Sequence, residues 1–92
     1  MKEYTITSWE DFWSLFDKLM NLLIYNNQLD IVSDFKNAQK YVNGFTDGWY
    51  EFKIAFERVI QVHIEDLTEE QLNIAILLRD CLISKFPDNV SD

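Results

Sequence analysis

Carboxylates are the residues of this chain best able to do chemistry. Three sets stand at helical spacing: Asp30 with Asp34, Asp47 with Glu51, and Asp66 with Glu69 and Glu70. Residues three and four apart share a helix face, so each set could hold a cation or divide acid and base roles between its members. Their position gives them a simpler task. Asp47, Asp66, Glu69 and Glu70 fall where helices are expected to start, and the partial positive charge of a helix N-terminus favours carboxylates there. Other chemistries fail on supply. A zinc site cannot be assembled from one histidine, His63, and one cysteine, Cys81. A di-iron bundle needs Glu-x-x-His on each of two helices, and Ile60 stands three before His63. No segment alternates acidic ligands around a central Gly, as a calcium loop does. Ser8, Ser14, Ser33, Ser84 and Ser91 fall at a helix cap, on polar faces or in the tail, and there is no nucleophile elbow or phosphate-binding loop. The expectation is a protein that is not an enzyme and uses neither cofactor nor metal. His63 shares its phase with Phe56, Val59 and Ile60 and reads as a histidine at the core edge. Cys81, in the apolar run 74–83, reads as a small core hydrophobe.

Apolar periodicity describes the elements that position these groups. Trp9, Phe12, Trp13, Phe16, Leu19, Met20 and Leu23, widened by Leu15 and Leu22, make one face of a first helix. Thr7 or Ser8 caps it, Glu10 or Asp11 completes a capping box, and Asn26-Asn27 ends it. A second helix is predicted from about 28 to 42 on Leu29, Ile31, Val32, Phe35, Ala38 and Val42, with Asn43-Gly44 as its stop. Asp47 opens the third as an acceptor for first-turn amides. That helix carries Trp49, Phe52, Ala55, Phe56, Val59, Ile60 and His63, flanked by Glu51, Lys53, Glu57 and Arg58. The fourth has the strongest start signal, a Thr68/Gln71 capping box between the staple residues Leu67 and Leu72. Its stripe is Leu72, Ala75, Ile76, Leu78, Leu82, Ile83 and Phe86, and Pro87 stops it. Short connections between four helices predict an all-α, single-domain antiparallel four-helix bundle spanning 1–92, with 1–7 as a coil arm and 88–92 as a frayed tail.

The composition is 48% apolar and 15% aromatic, which supplies one core and excludes disorder. Sixteen acidic residues stand against eight basic ones, a net charge of −8. Such a surface repels nucleic acid and anionic lipid and attracts basic partners. No apolar run approaches the length of a membrane span, and the first residues lack an apolar signal core, so a cytoplasmic protein is expected. Two acidic patches are candidates for partner binding: Asp47 and Glu51 beside Tyr50, and Glu65 and Asp66 with Glu69 and Glu70. Trp49 lies in the apolar phase and is expected inside. Tyr50 lies out of phase and is expected as an exposed interface anchor.

The order of Ala38-Gln39-Lys40-Tyr41-Val42-Asn43-Gly44, then Gly48-Trp49-Tyr50-Glu51-Phe52, then Leu67-Thr68-Glu69-Glu70-Gln71 resembles the small acidic helical immunity proteins of bacteria, the Maf-type family among them. The likeness runs from about Phe16 to Phe86. Where the family style has Gly followed by an acidic residue before the third helix, this chain has Asp47 before Gly48 and Trp49 after it. The resemblance implies tight, specific binding that neutralises a nuclease or other toxin domain, without catalysis. A monomer or weak homodimer is expected. Acidity alone would also suit a decoy for a nucleic-acid-binding protein, and the aromatic content would suit a homodimeric interaction module.

Overall fold

In the computed structural model, which describes residues 4–42, 44 and 46–87, four helices follow one another: α1 (Trp9–Tyr25), α2 (Leu29–Gln39), α3 (Thr46–Val62) and α4 (Glu69–Lys85). Each packs on its neighbour in sequence, and α4 closes the ring against α1. Trp9 at the start of α1 lies 4.5 Å from Trp49 at the start of α3 and 6.0 Å from Phe86, just past α4. The starts of α1 and α3 therefore share one end with the finish of α4, and neighbouring helices run antiparallel. This is the all-α four-helix bundle that the periodicity predicts, and the described residues contain no strand.

Aromatic volume sets the width of the core. The diagonal helices α1 and α3 have no close backbone approach. Their rings span the gap, with Phe12 6.2 Å from Phe52 and Phe16 6.4 Å from Phe56, centre to centre. Phe35 of α2 completes the layer, 5.0 Å from Phe56. These five rings are fully buried. Their edge-to-face and tilted arrangements are those aromatic quadrupoles favour.

Local signals account for most helix ends. Ser8 is the α1 N-cap, its Oγ accepting from the Asp11 amide at 3.2 Å. Asp11 does not close the expected box on the cap residue. Its Oδ2 reaches one residue further back and accepts from the Thr7 amide at 3.1 Å and the Thr7 hydroxyl at 2.6 Å. Asn27 ends α1 at φ 60°, the left-handed geometry asparagine tolerates. α2 finishes at Gln39, short of the expected 42, because the next amides shift to the residue three back: Tyr41 to Ala38 at 3.1 Å and Val42 to Gln39 at 3.0 Å. Gly44 follows at φ +90°, as a glycine stop requires, while Asn43 lies outside the described residues, as does the tail 88–92. α3 starts at Thr46, so Asp47 sits inside the first turn, where its charge meets the helix dipole, rather than ahead of it.

α4 differs most from expectation. Its capping box is present in both directions: the Gln71 amide donates to Thr68 Oγ1 at 3.1 Å, and the Thr68 amide donates to Gln71 Oε1 at 3.0 Å. The inward face is Gln71, Ile74, Ala75, Leu78 and Leu82. Ile74 is wholly buried, whereas Leu72 and Ile76 are half-buried and Ile83 is exposed. α4 is apolar nearly all round, so its spacing alone allows several stripes. Leu29 of α2 is also exposed, and Trp49 of α3 is half-buried rather than inside.

Thermal or urea unfolding should rank three substitutions. Ile74→Ala should cost about 2–5 kcal/mol, the range for a buried aliphatic truncated to alanine. Thr68→Ala should cost about 1 kcal/mol through the lost cap. Leu72→Ala should fall below Ile74→Ala. A Leu72 variant costlier than the Ile74 variant would contradict this phase for α4.

Candidate functional site

The bundle has two unlike ends. One gathers Trp9, Trp13, Trp49, Tyr50, Phe52 and Phe86. Trp49 stacks on Phe86 at 5.3 Å with 12° between planes, and the edge of Tyr50 meets Phe86 at 5.5 Å. Tyr50 is therefore half-buried within the protein's own aromatic cluster rather than free as an anchor. Beneath it lies Lys53, 1% exposed, which the sequence reading placed on a charged flank. Its Nζ donates to the Phe86 carbonyl at 2.7 Å and lies 5.6 Å from the Tyr50 ring centre. A buried ammonium must be hydrogen-bonded to be tolerated, and this one pins the end of α4 to α3. Asp47 and Glu51 are exposed at this end.

The other end is built from the α1–α2 turn and the α3–α4 turn. Glu65, Asp66, Glu69 and Glu70 are exposed there, joined by Asp30 in the first turn of α2; Asp34, also exposed, stands further along α2, at its middle. The chain has no Lys or Arg from 19 to 35 or from 59 to 78, the stretches that form this pole. The two candidate patches thus belong to opposite ends. α3 separates them by about 25 Å, from its 17 residues at a rise of about 1.5 Å each. They cannot be one contact point.

Side-chain amides tie this pole together. Gln71 is 1% exposed, and its Nε2 donates to Gln28 Oε1 at 2.8 Å. Gln28 Nε2 in turn donates to the Asp66 carbonyl at 2.8 Å. On the neighbouring side, His63 Nε2 lies 2.7 Å from Asp34 Oδ2, with the histidine 15% and the aspartate 48% exposed. His63 is thereby explained as the core-edge residue the periodicity implies, held to α2. No buried side-chain nitrogen or oxygen among the described residues lacks a partner. Among the described residues no group of three or more His, Cys, Asp or Glu could hold a metal ion. No helix of the described residues is long and apolar enough to cross a membrane.

Of the arm before α1, residues 1–3 lie outside the described residues; residues 4–7 are coil, as expected, yet packed. They fold back along α1 and α4, with Tyr4 and Ile6 against the core. Tyr4 donates its hydroxyl to Glu70 Oε2 at 3.1 Å, and Lys18 Nζ lies 6.0 Å from the Tyr4 ring centre. Desolvation, then that hydrogen bond and the Glu70 charge, raise the Tyr4 pKa. Glu70, a candidate for partner binding, is thus also the fastening of the arm. Ile6 and Cys81 line one shallow cleft. Burial pushes the Cys81 thiol up and Lys85 pulls it partly back, so it stays protonated at neutral pH and behaves as a small hydrophobe.

Comparison with family models, with curated proteins and with solved structures finds no match to this chain.

The Thr7 hydroxyl and amide hold the Asp11 carboxyl below its ordinary value of 3.8. A carboxylate with a lowered folded pKa stabilises above its unfolded pKa, and that stability is lost as pH falls through the lowered value. Asp11→Asn should lower the thermal midpoint at neutral pH. The gap from wild type should close as pH falls from the ordinary value of 3.8 through the lowered one. A gap constant with pH would show that the Thr7–Asp11 contact contributes nothing ionic.

Proposed function

We propose that this chain is a non-catalytic, cytoplasmic immunity protein that binds a basic toxin domain and neutralises it by occupying its working surface. The observation that carries the reading is the acidic end: six exposed carboxylates, Asp30 and Asp34 of α2, Glu65 and Asp66 of the α3–α4 turn and Glu69 and Glu70 of α4, in stretches 19–35 and 59–78 that hold no Lys or Arg. A field of one sign over a defined end of a small rigid body speeds encounter with a basic protein and suppresses wrong partners. The helical architecture, the acidity and the resemblance in order of parts to small bacterial immunity proteins support the same role. The exposed carboxylates at helix starts need no catalytic explanation.

The experiment is co-expression with the toxin encoded beside this gene. Wild type should restore growth. Purified components should associate at a rate that falls by at least about tenfold when salt shrinks the Debye length from about 30 Å to about 3 Å. Dissociation should change far less. Failure to protect against any adjacent gene product would overturn the immunity role and favour an acidic decoy for a nucleic-acid-binding protein.

A further inference from the structure

Among the described residues ten large apolar side chains are exposed, and five of them lie at the helix ends and turn of the acidic pole: Ile24, Tyr25, Leu29, Val62 and Ile64. Tyr25 is 89% exposed, the most open of the ten. Single exposed apolar residues are ordinary, but their concentration at one end, among exposed carboxylates, is the mark of an interaction surface. The pole is also concave. A cleft of about 520 Å³ opens between the two turns, lined by Leu29, Asp30, His63 and Asp66 among others. A water molecule fills about 30 Å³, so the cleft admits a long side chain. No lysine or arginine lines it.

We infer that this cleft and its apolar rim are the docking surface for a basic protein, which places an arginine or lysine between Asp30 and Asp66 and packs apolar surface on Tyr25, Leu29 and Ile64. This rests on the reading of the chain as a binder of a basic partner, and it names the surface. Charge decides the occupant. A second copy would bring six carboxylates against six, and an anionic membrane is repelled in the same way. A basic protein gains both from the field and from desolvating the apolar rim. The cation has a carboxylate on either wall, and Leu29 offers the stem of a long side chain an apolar support. The surface is held ready. Gln28, which lines the cleft, is fixed by Gln71 and by the Asp66 carbonyl, so little ordering is needed on binding. The Asp47, Tyr50 and Glu51 patch lies outside this surface, at the far end of α3.

The test is selection of short random peptides from a displayed library against the intact chain at low salt, with binding mapped by amide shifts. Recovered peptides should combine Arg or Lys with aliphatic or aromatic residues and move the amides of Leu29, Asp30, Ile64 and Asp66. Asp30→Lys with Asp66→Lys should weaken them by at least about tenfold. Asp30→Asn with Asp66→Asn should weaken them less, and Asp47→Lys with Glu51→Lys should leave them as wild type. Helical circular dichroism should be unchanged throughout. The proposal is overturned if no peptide or only non-basic peptides are recovered, if the shifts centre on the separate groove between α2 and α3 lined by Ala38, Tyr41, Arg58 and Val59, or if the Asp30/Asp66 reversal binds as wild type. A salt-promoted dimer broken by Tyr25→Ala would overturn it too, by making a second copy the occupant. Growth rescue separates the two claims. If wild type and the Asp30/Asp66 reversal protect equally, this surface is wrong and the inhibitor role stands. If basic peptides bind here and no toxin is neutralised, the surface stands and the inhibitor role falls.

Discussion

One buried amide constrains much of this structure. Gln71 is inside the protein, and an unpaired polar group there would cost about 1–3 kcal/mol. Its carbonyl oxygen is satisfied by the Thr68 amide, which makes the capping box reciprocal. Its nitrogen is satisfied by Gln28, on the turn between α1 and α2, and Gln28 continues to the Asp66 carbonyl. Two connections far apart in sequence therefore become one piece of surface. The same pairing fixes the rotation of α4. With Gln71 facing inward at the third helical position, Ile74, Ala75, Leu78 and Leu82 must follow it inward. Leu72 and Ile76 are turned to the edge.

The opposite end is held differently. Rings from α1, α3 and the residue after α4 stack there, and Lys53 ties the Phe86 carbonyl to α3. Aromatic packing accounts for Trp49, Tyr50 and Phe86 as structural parts and leaves little of Tyr50 for a partner. The two ends divide the work: aromatic packing and the buried ammonium close one, and the amide chain shapes the other into an acidic cleft with an apolar rim. The aromatic end secures the helices, and the docking proposed for the amide-held end would leave it undisturbed.

Much of the fold was legible in the sequence. Three- and four-residue spacing gave four helices, Ser8 and Thr68 gave two starts, and Asn27 and Gly44 marked two stops. These signals are local and need no knowledge of neighbours. The phase of α4 was not legible, because an apolar residue stands in almost every direction around it and only the tertiary partner of Gln71 selects one. Lys53 was misplaced for a related reason: charge predicts exposure until a carbonyl arrives from another helix end. The packing of the arm depends on Tyr4 meeting Glu70, 66 residues away. At the candidate site the carboxylates Glu65, Asp66, Glu69 and Glu70 were readable. Their union with Asp30 and Leu29 across two turns was not, and neither was the half-burial of Tyr50 against the exposure of Tyr25. Tyr25 ends the apolar run Leu22-Leu23-Ile24-Tyr25, in which helical phase buries Leu23 and leaves Ile24 and Tyr25 exposed.

The most direct measurement of the central claim, that Gln71 and Gln28 weld the two turns into one unit, is a double-mutant cycle by urea denaturation. Gln28→Leu and Gln71→Leu should each destabilise by about 1–3 kcal/mol, since each leaves a polar group of the chain unpaired. The double variant should cost less than the sum by at least about 1 kcal/mol, within the range of contacting residues in one network. Effects that add to within about 0.5 kcal/mol would mean the two residues act independently, and would contradict the account.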